Sequence, residues 1–203
     1  MVQGLKITLS IFLITLIVAI PLGLIISFLR LSKHKAVSGL AKTYILIMRG
    51  TPLLLQLIFI FFGLPLLGIV FNRYIAAIIA FSLNYAAYFA EIFRGGIQSI
   101  DKGQYEASLV LGLDKVTMYK RIILPQVSKV ILAPMSNEVI TLIKDTAIVY
   151  TIGLNDILRI SQIAQNQQAS LIPLIEAAVI YIILTSILTQ IFKIFEKRYS
   201  YYR

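Results

Sequence analysis

Five long apolar stretches dominate this chain of 203 residues and leave little room for anything else. They lie at about 7–29, 44–62, 74–92, 130–151 and 171–192, and the first carries no charge from Ile7 to Leu29. A helix crosses a hydrocarbon core with about 20 apolar residues. Each stretch is therefore expected to be a transmembrane helix, because a lipid-exposed segment must satisfy its own backbone hydrogen bonds. The runs are continuous rather than alternating, which does not support strands. The expected fold class is all-α, polytopic, with five transmembrane helices in a single domain over 1–203. Charged residues make up 14% of the chain, against about a quarter in soluble domains, which excludes a water-soluble or disordered chain. There is no cysteine and one histidine, His34, excluding disulfide frameworks and thiolate or His-rich metal centres. No metal site is expected. Met1 to Lys6 is too short and too weakly basic for a signal-peptide n-region, so the first run is expected to be a mature helix.

Lysines and arginines fix the expected orientation. Arg30, Lys33, Lys35 and Lys42 follow the first stretch; Arg94, Lys102, Lys115, Lys120, Arg121 and Lys129 follow the third; Lys193, Lys197, Arg198 and Arg203 follow the fifth. Only Lys6, Arg73 and Arg159 fall in the alternate loops. The positive-inside rule then places the N-terminus outside and the C-terminus in the cytoplasm. The net charge of +10 points to the anionic membrane surface rather than nucleic acid. An odd span count without a visible repeat argues against two equal inverted halves, the plan of many secondary transporters.

The cytoplasmic loop at about 94–129 reads as two short helices joined by a glycine turn. Asp101 is placed to cap the first, with Gln104 in capping-box spacing. Gly112 suits the left-handed position that ends it. Asp114 is placed to cap a second helix running through Lys120 and Arg121, and Pro125 marks the start of the fourth span. From the residues alone the loop is either a solvated connector or a docking surface. Glu106-Ala107-Ser108, Gly112, Ile122, Leu124 and Pro125 stand in the order E-A-A-x3-G-x9-I-x-L-P. This resembles the EAA loop of importer-type ABC permeases, with Ser108 where that family usually has Ala. Met48 to Gln56, Asn84 to Ile97, and Lys144-Asp145-Thr146 with Ile152-Gly153-Leu154 and Asp156 resemble its polar-amino-acid branch.

The resemblance implies the membrane subunit of an ATP-driven amino-acid importer in a prokaryotic cytoplasmic membrane. It implies a second permease subunit, with a homodimer favoured, an ATP-binding-cassette ATPase homodimer beneath, and an extracytoplasmic binding protein that delivers the amino acid. Tyr105, Glu106, Ala107, Ser108, Gly112 and Leu113 are the expected ATPase-coupling residues. The chain has no G-x-x-x-x-G-K-[ST] motif. It is therefore expected to be a transport subunit rather than an enzyme, with ATP and Mg in the partner ATPase and no cofactor of its own.

Ionisable residues at membrane depth are costly and mark functional positions by default. Glu138, Thr141 and Asp145 share one face of the fourth span, with Asn137 beside Glu138. A carboxylate there attracts an ammonium or guanidinium; the other readings for Glu138 are a structural partner of Arg49 or Lys144, or a protonated side chain. Asn84, Tyr88 and Glu91 form a second stripe on the third span; Asn84 and Tyr88 are candidates to meet the substrate's carboxylate or α-ammonium or to serve a structural role, and Glu91 is expected to be structural, pairing with Arg94 three residues on or holding the start of the loop that follows. Gln56 suits either the transport pathway or an interhelical hydrogen bond. Pro52, in Arg49-Gly50-Thr51-Pro52, is expected to kink the second span, as a gate hinge or as packing. Asp156 is expected to cap a helix starting at Ile157, Glu176 has no assigned role, and His34 is expected to be solvated. Tyr199, Tyr201 and Tyr202 are expected at the membrane interface. Ser136 to Ile140 resembles permeases for basic amino acids, which makes a cationic L-amino acid (arginine, lysine or histidine) the expected substrate. Glutamine or another polar amino acid is the alternative within the family. More distant alternatives are a secondary transporter or channel, and an intramembrane enzyme.

Overall fold

The computed structural model describes residues 1–199. The side chain of Tyr199, together with Tyr201, Tyr202 and Arg203, lies outside the described residues, and so does the interfacial placement expected for the three tyrosines. Nine α-helices and the turns between them make up the described chain, which contains no strand. The fold is all-α, as expected.

Helix α1 (Val2–Arg30) is 29 residues long, about 44 Å at 1.5 Å per residue. Its buried positions include Gly4, Thr8, Thr15, Ala19, Gly23 and Ser27, a stripe of small side chains. Small residues let helix backbones approach closely in a membrane. A Cβ on Gly23 would stand 2.7 Å from the Phe89 Cβ and 2.9 Å from the Ala86 carbonyl oxygen. That contact seats α1 on α4 (Arg73–Gln98), whose alanine-rich faces, Ala76, Ala77, Ala80, Ala86, Ala87 and Ala90, are wholly buried. Helix α4 is thus the central helix of the chain.

Helices α2 (Lys35–Gly50) and α3 (Leu53–Ile58) occupy the second apolar stretch and meet at 102°. The expected kink is a complete break. Thr51 (φ −121°, ψ 147°) and Pro52 (φ −61°, ψ 136°) are both extended, because proline disfavours the helical conformation of the residue before it. Helix α3 passes through a π-turn (Phe59–Gly63) into a 3₁₀ turn (Leu64–Leu67). A second π-turn (Tyr119–Ile123) sits between α6 (Lys115–Met118) and α7 (Leu124–Asp145). Both precede a proline by two residues, Pro65 and Pro125. Proline lacks a donor and crowds the carbonyl four residues back; widening the turn by one residue removes the clash without ending the helix. The second loop helix and the fourth apolar stretch are therefore one continuous rod.

The loop that follows α4 folds as a hairpin. Asp101 caps α5 (Lys102–Val110), accepting from the Gly103 N–H at 2.6 Å. Gln104 does not return to Asp101 to complete a capping box; its side-chain oxygen accepts from Gln126 at 3.3 Å, tying the hairpin to α7. Gly112 turns with φ +69°. Asp114 caps α6 from the Val116 and Thr117 N–H groups and the Thr117 hydroxyl. Ile100, Met118, Ile123 and Val127 form a separate small core under the hairpin.

After Asp145 the α-helical winding expected to reach residue 151 tightens to a 3₁₀ turn (Thr146–Ile152) that ends at Gly153 with φ +83°. Asp156 caps α8 (Ile157–Gln168), as expected, through the Leu158 and Arg159 N–H groups. Helix α9 (Ile172–Tyr199) closes the described chain. Gly4 packs on the Asp156–Ile157 backbone, so Met1, Gly153 and Asp156 share one end of the molecule, opposite Arg30 and the hairpin. Three helices, α1, α4 and α9, are long and apolar enough to cross a membrane, and the bent α2–α3 pair is a fourth if it counts as one span. Helix α7, polar along the face described next, is not among them.

Candidate functional site

The break between α2 and α3 opens a cavity of about 470 Å³ against α4 and α7. Arg49, Gly50, Thr51, Pro52 and Leu53 form one wall; Asn84, Tyr85 and Tyr88 from α4 and Glu138, Thr141 and Asp145 from α7 form the others. Three sequence patches far apart in the chain thus meet in one place. The i, i+3, i+7 spacing puts Glu138, Thr141 and Asp145 on the wall, as a 3.6-residue period requires.

The charges are sorted. Asp145 Oδ2 accepts from the Tyr85 hydroxyl at 2.7 Å. Glu138 has no hydrogen bond or ion pair among the described residues. Arg49 lies over the Tyr88 ring, 5.1 Å from its centroid, and 3.9 Å from Glu91. Glu91 is held by Arg94 through two bonds, Nε to Oε1 at 2.8 Å and Nη2 to Oε2 at 2.7 Å. This is the structural pairing expected for Glu91. Arg49 and Gly50 also line a second cavity, about 420 Å³, with Arg30, Lys42 and Glu91 toward the hairpin end. Arg49 therefore stands between the two cavities.

Several expected residues serve the break instead of the cavity. Gln56 is not on the wall: its amide donates to the Met48 carbonyl at 2.9 Å and the Thr51 hydroxyl at 2.8 Å. Asn84 touches the cavity, but its amide donates to the same Met48 carbonyl at 2.8 Å and to the Gln56 oxygen at 3.1 Å. A broken helix leaves backbone carbonyls without partners, and these two amides supply them. Asn137 is exposed and off the wall, because it sits about 100° round the helix from Glu138. Lys144 and Glu176 are also exposed, as is His34, which stands at the start of α2 as a solvated residue. Tyr85 went unread in the sequence. It follows Asn84 in the chain, about 100° round the helix from the Asn84–Tyr88 stripe, which a single-face reading discards.

On the hairpin, Glu106, Ala107 and Gly112 are exposed, whereas Tyr105 and Leu113 are half-buried. Ser108 turns inward, and its hydroxyl donates to the Gln104 carbonyl at 2.6 Å. A small residue is needed there for packing. The tip instead exposes Leu109, Val110 and Leu111, with Val110 88% accessible. The Thr117 hydroxyl and the α6 backbone hold the Asp114 carboxyl below its ordinary range. Among the described residues no three histidines or carboxylates cluster as a metal site would require.

Residues 19–201 match the family described as binding-protein-dependent transport system inner membrane component. The chain belongs to this family. The permease is 44% identical over 198 residues to the arginine transport system permease protein ArtQ of Bacillus subtilis, covering 97% of this chain and 90% of that protein. It is 39% identical to the putative glutamine transport system permease protein GlnP of Rickettsia conorii, covering 97% and 91%. A crystal structure of an amino acid ABC transporter with histidines matches with a TM-score of 0.89 and 36% identity, over 97% of this chain and 92% of that one. The MetNI methionine ABC transporter, at 18% identity with a TM-score of 0.71 over 98% and 93%, shares the fold. The protein is a membrane permease of an amino-acid ABC transporter, a subunit that works with an ATPase.

Proposed function

We propose that this permease imports a cationic L-amino acid: arginine, lysine or histidine. The observation that carries the reading is the charge pattern of the 470 Å³ cavity, two carboxylates (Glu138 and Asp145) and one guanidinium (Arg49). A cationic amino acid bears the complement: two positive groups and one carboxylate. Ionised hydrogen bonds of this kind are about twice as strong as neutral ones. In this reading Glu138 receives the side-chain cation, Asp145 with Thr141 the α-ammonium, and Arg49 the α-carboxylate. Similarity to an arginine permease supports it. Glutamine is the second reading, favoured by relatives of 36–40% identity named as putative glutamine permeases.

In the same proposal α1, α2–α3, α4, α7 and α9 make five crossings, N-terminus outside and C-terminus inside. The polar face of α7 is sheltered by the cavity. Two copies pair, a binding protein delivers the amino acid, and the α5–α6 hairpin seats in the ATPase through Glu106, Ala107 and the exposed tip. The stiff junction of α6 with α7 carries a push on the hairpin directly to the wall that bears Glu138, since packed elements move as units. Hydrolysis itself belongs to the partner in this reading, since the sequence carries no G-x-x-x-x-G-K-[ST] motif.

The test is reconstitution of the permease with its ATPase and binding protein, followed by ATP hydrolysis and uptake with arginine, lysine, histidine and glutamine. Stimulation and uptake by the cationic three are expected. Preference for glutamine overturns the substrate assignment.

A further inference from the structure

Two guanidinium groups converge at the end of the molecule opposite the hairpin. Arg73 opens α4 and Arg159 stands in the first turn of α8. Both close on the Gly153 turn: a Cβ there would lie 3.4 Å from Arg73 Nε and 3.6 Å from Arg159 Nη1. Like charges this close repel, and among the described residues no carboxylate lies within ion-pair distance of either, although the Asp156 carboxylate acts on Arg159 through space. The ion pairs of Glu91 with Arg49 and Arg94 involve neither Arg73 nor Arg159. Arg73 makes no hydrogen bond among the described residues. Arg159 donates from Nη1 to the Tyr150 carbonyl at 3.0 Å, and its Nε is buried without a partner. Asp156, three residues away, is fully buried with its carboxylate oxygens on the Leu158 and Arg159 N–H groups.

Beside the pair lies a cavity of about 730 Å³ walled by Phe61, Phe62, Phe71, Tyr74 and Arg73. Leu66 and Val70 project from the same segment, 87% and 76% accessible. Arginine next to an aromatic and apolar bed is the composition of a protein–protein hot spot. Basic residues are kept sparse on the outer side of such proteins, so two focused on one turn, with Arg73 exposed, offer a site for an anionic group at that end.

We propose that Arg73 and Arg159 form a clamp for a carboxylate side chain of the extracytoplasmic binding protein, whose apolar neighbours enter the aromatic cavity. This rests on the outward orientation and the importer reading proposed above. Paired guanidiniums meet a carboxylate through parallel N–H donors, with more geometric specificity than lysine provides.

The experiment titrates the reconstituted permease–ATPase complex with the substrate-loaded binding protein of the same transport system and follows ATP hydrolysis. Arg73→Gln removes no bond within the described chain. It is expected to raise the half-stimulating concentration on the order of tenfold, with little change in maximal rate and a flatter salt dependence. The Arg73→Gln, Arg159→Gln double variant is expected to raise it further, and its melting temperature reports any effect of losing the Tyr150 bond. An unchanged half-stimulating concentration for Arg73→Gln overturns the clamp. A shift instead in amino-acid affinity measured without binding protein also overturns it, and reassigns the pair to the carboxylate of the free amino acid. If no binding protein stimulates the wild-type complex, the importer reading falls as well, which separates the two failures.

Discussion

Replacing Glu138 by glutamine removes one negative charge from the cavity and almost no volume. Glu138 makes no hydrogen bond or ion pair among the described residues, its nearest opposite charge being Arg49 across the cavity, so the exchange breaks no internal bond and leaves packing against α4 and the α2–α3 break in place. What is lost is the charge-assisted bond to the substrate's side-chain cation. A hydrogen bond to a charged group contributes about 1.5–3 kcal/mol, and 1.4 kcal/mol is a factor of ten. Affinity for arginine or lysine should therefore fall on the order of 10- to 100-fold. Glutamine has no side-chain charge to lose, and Asp145 remains for its α-ammonium, so its affinity should change little. The assay is equilibrium binding of each amino acid to the purified permease–ATPase complex without binding protein, with the melting temperature followed alongside. Equal losses for arginine and glutamine would refute the reasoning, and so would no loss for either. A large fall in melting temperature would mean that Glu138 holds the fold rather than the substrate.

Gln56→Leu tests the role of the break. It removes the bonds from Gln56 to the Met48 carbonyl and the Thr51 hydroxyl at 2.9 Å and 2.8 Å and the one its oxygen accepts from Asn84 at 3.1 Å; Asn84 still reaches Met48 and Thr51 still donates to Ile47, so the cost is about 0.5–1.5 kcal/mol per lost bond. Melting temperature and maximal transport rate should fall while the rank order of amino acids stays as in wild type; a changed rank order would place Gln56 in substrate contact. A further expectation concerns pH. The folded Asp114 carboxyl is held below its ordinary value by bonds that its ionised form accepts from Thr117 and the backbone. A depressed acid stabilises the fold above its unfolded pKa, about 3.9, and loses that contribution as pH falls through the lower folded value. Hydrogen-exchange protection over Lys115–Met118, corrected for intrinsic rates, should hold from neutral pH to about 4 and drop below it. Asp114→Asn should flatten that dependence.

What the sequence by itself determined is local. Apolar length sets helices that span, because a 20-residue apolar run in lipid has no other way to satisfy its backbone. The caps at Asp101, Asp114 and Asp156 and the turn at Gly112 were legible because each depends on residues within three or four positions. The shared face of Glu138, Thr141 and Asp145 follows from one helical period. The tertiary structure decided which faces meet. Small residues such as Gly23 let α1 and α4 close on one another, and the 102° break at Thr51–Pro52 carries Arg49 to α4 and α7. That angle, invisible in a hydropathy pattern, assigned Gln56 and the Asn84 amide to stranded carbonyls, while the packing of α4 on α7 made Tyr85 part of the site through its bond to Asp145. It also required long-range packing to bring Arg73 and Arg159, 86 positions apart in the chain, onto one glycine turn. A helix's period fixes which side chains travel together, while its neighbours and its breaks fix what those side chains confront.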